Sequence, residues 1–334
     1  MTFQMKSKRL IPLLVVLSQA AIELHGAAVP SPDINTYVLF AYYELSFKGG
    51  DGTTTGIIDG GNVGVNFPDP NPGDSSALIN VGTNRSFIMS DGTQLVADSL
   101  RFGSDASAWD VFANNQVGAC GGTIRNAGPL AFSTPVIAPL DLPLLDFVVG
   151  SNVSALDITV NSGSPLALTA GVYGQVIVQN GEELNLGAGV YFFDDFLMGQ
   201  NTTITTVDDT IIYVDGKISI GDGSTFGSAG QLATIQAGGE GVTGATESAV
   251  NFGQNVTVFG NFFSPNKRLS LGKATDLYGI FWAYNINSDF NVNVTFVALP
   301  NELSDAPEPG VWTTMLIGLA LLGLGGIGRK KTTG

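Results

Sequence analysis

The chain is poor in the residues that carry most enzyme chemistry. Its 334 residues include one histidine, His25, and one cysteine, Cys120. A single cysteine rules out an intrachain disulfide framework. Charged residues make up 13 % of the chain, about half the usual ~25 %. Lys and Arg number 14 against 29 Asp and Glu, which gives a formal charge of −15. A chain so short of cations is unsuited to nucleic acid, because that binding rests on neutralising phosphates with Lys and Arg. Glycine is in excess, at 44 residues, about twice the average share of roughly 7 %. Hydrophobic residues at 44 % exclude a charge-rich disordered chain.

The lone histidine lies in a segment with the layout of an export signal. Lys6, Lys8 and Arg9 precede an apolar stretch at 10–17, which continues more weakly through Ala20, Ala21 and Ile22. Gln19, Glu23 and His25 interrupt it too early for a bilayer span. Gly26 and Ala28 fit the −3 and −1 positions of a cleavage site, which predicts a signal peptide over 1–28 cut after Ala28. The mature chain then has no histidine. That removes the commonest general base and metal ligand, and with them Ser-His-Asp catalysis, Cys-His catalysis and His-containing zinc sites.

At the other end, Pro307-Glu308-Pro309 leads into an apolar run at 311–327, followed by Arg329, Lys330 and Lys331. As a helix that run is roughly 26 Å long, close to a bilayer core. The basic tail is expected on the cytoplasmic side, which puts the body beyond the membrane. This order of Pro-Glu-Pro, span and basic tail resembles the PEP-CTERM sorting signal of bacteria. The resemblance covers about the last 28 residues. It implies recognition by an exosortase, processing near Pro309, and a setting among Gram-negative bacteria that make exopolysaccharide and biofilm or floc.

Between the ends, the body holds 8 cations and 27 acids, a net −19, because six cations and two acids belong to the terminal signals. Apolar residues alternate in short runs, as in Val176-Ile177-Val178, Thr210-Ile211-Ile212-Tyr213-Val214 and Asn255-Val256-Thr257-Val258-Phe259. Such runs, bounded by Asn180-Gly181, Asp215-Gly216 and Asp222-Gly223, read as strands between turns. The phrase Leu168-Thr169-Ala170-Gly171-Val172-Tyr173 recurs 18 residues on as Leu186-Gly187-Ala188-Gly189-Val190-Tyr191. A period near 18–22 residues suits one coil of a β-solenoid. The expected fold is therefore all-β, a right-handed parallel β-helix or solenoid, with one C-terminal transmembrane helix. An antiparallel β-sandwich is the alternative, since the same dipeptides make hairpins. The repeat region also resembles the β-helical segments of exported bacterial surface proteins. The resulting division is a signal peptide at 1–28, an N-terminal β-rich region at 29–150 and a solenoid repeat region at 151–300. A linker follows at 301–309, then the membrane helix at 310–328 and the basic tail at 329–334. Pro129, Pro135, Pro139 and Pro143 mark an irregular connection between two parts of one solenoid.

No constellation among these residues points to a catalytic or cofactor site. Asp194-Asp195 and Asp208-Asp209, with Asp215 and Asp222 nearby, are the only acid/base candidates. Adjacent strand residues face opposite ways, so turn and corner roles suit them better than a carboxylate dyad. Asp69, Asn71 and Asp74 supply oxygen ligands on one Pro-rich loop, so calcium is the one cofactor the sequence leaves open, although the spacing is not an EF-hand. Cys120, within Gly118-Ala119-Cys120-Gly121-Gly122, has no His to activate it. The Asn-x-Ser/Thr sequons at Asn84, Asn152, Asn201, Asn255 and Asn293 read as strand composition in a bacterial chain. Thr203-Ile204-Thr205 is one step of a Thr ladder, too little for an ice-binding face.

These features predict an exported, non-enzymatic structural or interaction protein of the cell surface or extracellular matrix, anchored transiently by its membrane helix. Its expected partners are an exosortase and exopolysaccharide. A polysaccharide lyase or hydrolase using carboxylates on the solenoid face, and a calcium-dependent adhesion module, are the alternative functions.

Overall fold

The computed structural model describes residues 36–48, 56–65, 78–82, 87–89, 93–103, 107–119, 123–127, 156–239 and 247–297. Within them the chain is all-β, and every pairing between its strands is parallel. The single antiparallel contact is an isolated bridge between Ser228 and Gln231. The hairpins of a sandwich are therefore not seen among the described residues. Asn180-Gly181 and Asp222-Gly223 make corners instead, with Gly181 and Gly223 at φ 75° and 70°.

A typical circuit lays two strands, or one longer strand, on one long ladder and a further strand on a second ladder. Gly189–Phe193, Phe196–Met198 and Thr203–Thr206 form one such rung. Thr210–Val214, Ile218–Ile220 and Thr225–Phe226 form the next, paired with it strand for strand. Period-2 alternation decides which side chains face in. In Thr210–Val214, Thr210, Ile212 and Val214 are buried while Ile211 and Tyr213 look outward. One inward column runs Val176, Phe196, Ile218, Val250, Leu269, Ile286, Leu45 and Ile79. Phenylalanines tie the walls together across the interior. Phe193–Phe196, Phe226–Phe262 and Phe252–Phe262 have ring centroids 5.2, 5.3 and 5.1 Å apart. Burial of each such ring contributes roughly 1.5–3 kcal/mol.

The order of rungs in the stack differs from their order in the sequence. Tyr37–Phe47, the first described strand, lies in the middle. On one side it pairs with Asn62–Val65 and Leu78–Val81, and the stack continues through Gln94–Phe102 and Ser107–Ala119 to Thr123–Ala127. On its other side lies Phe281–Ser288, near the end of the repeat region. The repeat region starts at the far end with Leu156–Val160 and builds back toward that seam. Residues 128–155, with the prolines expected to mark the connection, lie outside the described residues. At the seam, Lys48 N donates to Ser288 O at 2.8 Å, Phe296 N to Asp59 O at 2.8 Å, and Trp282 Nε1 to Tyr37 O at 3.2 Å. The N-terminal region and the repeat region are thus one compact unit that reaches Val297.

One corner recurs with the same backbone conformation in six successive rungs. Gly181, Asn201, Gly223, Asn255, Ala274 and Asn291 all have φ between 54° and 75°. Asn tolerates this region better than other non-Gly residues, which explains its repeated use. Each corner is tied to the next by a backbone bond, as in Asn201 N to Asp222 O and Asn255 N to Lys273 O, both 2.8 Å. Close stacking also demands glycine before the turn: a Cβ on Gly221 would overlap the Gly199 carbonyl oxygen, and one on Gly272 that of Gly253. The phrase repeated at Tyr173 and Tyr191 serves a different corner. Tyr173 Oη donates to Thr169 O at 2.6 Å, and Tyr191 Oη to Gly187 O at 3.1 Å. The ladder, however, pairs Gly171 with Tyr191, 20 residues on, not with Gly189 at the 18-residue sequence offset. The corner at 187–190 absorbs the two extra residues.

Two substitutions test the corner geometry. Gly221→Ala is expected to lower stability by about 1–3 kcal/mol, because backbone must move to admit the methyl group. Ala274→Gly is expected to raise it by roughly 0.5–1 kcal/mol, because it relieves the left-handed strain. Denaturant titration of the two variants reads both.

Candidate functional site

The acidic candidates serve the backbone. Asp195 Oδ1 accepts from Lys217 N at 2.9 Å, and its Oδ2 accepts from Gln175 Nε2 at 3.2 Å. Asp157 Oδ1 accepts from Gln175 N at 2.9 Å, one rung earlier at the same corner. Asp222 Oδ1 accepts from Gln254 N at 2.7 Å. Asp209 occupies a corner with φ 61°, and its carbonyl accepts from Gly189 N at 3.0 Å. Asp194 and Asp215 take part in the same rung-to-rung backbone bonding, through Gly216 N to Asp194 O and Asp215 N to Phe193 O. These side chains are spread over more than one corner. No group of three His, Cys, Asp or Glu able to hold a metal ion occurs among the described residues.

Several other sequence candidates fall outside the described residues. These are Ala28, the loop of Asp69, Asn71 and Asp74, Cys120, Asn84, Asn152, the sorting residues Pro307, Glu308, Pro309, Arg329, Lys330 and Lys331, and the span at 310–328. No helix among the described residues is long and apolar enough to cross a membrane. Of the remaining sequons, Asn201 and Asn255 are left-handed corners, and Asn293 Nδ2 donates to Asp276 Oδ1 at 2.7 Å. Burial raises the pKa of the Tyr191 hydroxyl above the usual phenol value. Burial likewise raises that of Tyr37.

Thr203 has in-register partners that its sequence neighbours do not reveal. Thr203, Thr225 and Thr257 stack on successive rungs of the second ladder. The column is then continued by Asp276 and Asn293. The parallel column beside Thr205 holds Asn185, which shares a side-chain hydrogen bond with it, and does not repeat the threonine. A flat array of paired threonines is not formed.

The most regular solvent-facing feature lies on the other wall. Ser219, Asn251, Ser270, Asn287, Ser46 and Asn80 are consecutive partners on the long ladder. Each stands between two buried residues of its own strand, so each points outward. Serine and asparagine alternate without a charged residue until Arg101. Rungs ~4.8 Å apart therefore offer alternating hydroxyl and amide groups along a straight line. Sequence reasoning missed this column. Its members are 17 to 34 residues apart along the chain, and Asn287 meets Ser46 only across the seam.

The carboxylates predict stability effects. Asp195→Ala and Asp222→Ala are each expected to cost about 1 kcal/mol or somewhat more, since each leaves a backbone N–H of the adjacent rung unmatched. Thermal melts of the two variants measure this. No protein-family model matches the chain, and neither does any curated protein or solved structure.

Proposed function

We propose that this chain is an exported structural or interaction protein of a bacterial surface or matrix, a right-handed β-solenoid that associates with exopolysaccharide. The single observation that carries this reading is the uncharged Ser/Asn column running from Ser219 to Asn80. An extended glycan presents hydroxyls that donate and accept, and a straight row of hydroxyls and amides meets both needs. A repeating wall supplies length rather than a pocket, which suits a polymer better than a small molecule. The engagement of Asp195 and Asp222 with neighbouring rungs favours this reading over glycoside cleavage.

Export and sorting complete the proposal. The signal peptide at 1–28 directs the chain across the inner membrane. The span at 310–328 holds it there, and an exosortase acts near Pro307-Glu308-Pro309, releasing the body to the surface. Mass spectrometry of surface material is expected to find a product that starts after about Ala28 and ends near Pro309; an intact tail at 311–334 contradicts the sorting. Deleting the gene is expected to reduce floc, biofilm or surface-bound polymer, and unchanged levels of all three contradict the matrix role.

A further inference from the structure

The geometry points to a discrete binding site for a neutral sugar unit at the seam, where the first described strand meets the last coil. This site deepens, and rests on, the reading of the protein as a glycan-associated wall. Its floor is the row Arg268, Asn285 and Glu44, which are consecutive partners on the long ladder. The next residues, Leu269, Ile286 and Leu45, fill the core, so the row faces outward. Two positions further along the same strands lie Ser270, Asn287 and Ser46 of the polar column. On the opposite side stand three tyrosines at the corner. Tyr284 stacks on Tyr42 at 5.7 Å with 21° between planes, and on Tyr43 at 5.8 Å with 2°. Tyr42 is 41 % exposed.

The second observation is chemical. Asn285 is 8 % exposed, yet its Oδ1 has no hydrogen-bond partner. Arg268 Nε is buried and likewise unmatched. Buried polar atoms are ordinarily paired, so two orphans in adjacent register positions mark a place prepared for another group. The carbonyl oxygen can only accept and the guanidinium N–H can only donate. With a turn of the half-buried Arg268 side chain that opens the pair, a hydroxyl set between them donates to Asn285 and accepts from Arg268, satisfying both. A pyranose offers such hydroxyls around its ring and apolar C–H faces that lie flat on an aromatic plate. Glu44, the next member of the row, would repel a carboxylate that Arg268 attracts, so the site favours an uncharged sugar over a uronate.

Calorimetry on the full-length chain, held in a non-glycosidic detergent, tests the assignment. The probes are neutral hexasaccharides of glucose, galactose and N-acetylglucosamine, with a hexuronate of equal length. At least one neutral probe is expected to bind. Tyr42→Ala and Asn285→Ala are each expected to weaken that binding by about tenfold or more. The melting temperature is expected to stay level in Tyr42→Ala and to stay level or rise in Asn285→Ala, which removes an unmatched acceptor. Wild-type affinity in both variants overturns the site, as does a hexuronate that binds as well as the neutral sugars. Capture of the cells' own surface polymer separates the two claims. If wild type holds that polymer but no hexasaccharide, or if the variants bind both as well as wild type, the seam assignment falls and the matrix reading stands. If wild type binds neither polymer nor oligosaccharide, both fall.

Discussion

The structure depends on the parallel pairing of Tyr37–Phe47 with Phe281–Ser288, which shifts register once, between Ala41 and Glu44. Without that seam the molecule would be two short stacks, each with an exposed strand edge and an uncovered core end, a known liability for β proteins. With it, Leu45 continues the column of Ile286 and Ile79, and Ile58 continues that of Val294. One hydrophobic interior then serves both halves of the chain. The seam is also polar at its rim: Lys48 lies 3.4 Å from Asp289 at the exposed corner. Such a surface pair is worth little by itself, and backbone bonds and core continuity do the joining.

Repetition explains why so few residue types suffice. A rung needs inward apolar residues, a left-handed corner and a glycine where the next rung passes close. Asn and Gly meet the corner, and Val, Ile, Leu and Phe meet the wall. Charge is dispensable in such a body, which accounts for the low charged fraction. The acids that remain near corners bind backbone N–H groups of the adjacent rung, as Asp195 and Asp222 do. The outward positions are then free to vary, and the Ser/Asn column and the seam tyrosines are where that freedom is used coherently.

The all-β character was legible in the sequence because alternation and turn residues are local signals. Val176-Ile177-Val178 and Thr210-Ile211-Ile212-Tyr213-Val214 fall in strands, and Asn180-Gly181 and Asp222-Gly223 fall in corners. The tyrosine phrase signalled a recurring corner: Leu168 pairs with Leu186 at the 18-residue offset, and past the corner the offset becomes 20, because corner length varies from rung to rung. The seam was not legible: it joins residues more than 230 apart, and Tyr42-Tyr43 reads in sequence as ordinary strand. The polar column was hidden for the same reason, with one residue contributed per rung at irregular spacing.

The most direct test of the account is a disulfide across the seam. Ser46 and Asn287 are register partners on the solvent face, so their Cα atoms stand ~4.8 Å apart, within the 4.4–6.8 Å range that a disulfide bridges. A chain carrying Ser46→Cys, Asn287→Cys and Cys120→Ser is oxidised, digested and sequenced by mass spectrometry. The predicted result is a linked pair of peptides containing positions 46 and 287, formed within single chains and lost on reduction. A folded, oxidisable chain in which both thiols stay free, or link only between molecules, would contradict the seam.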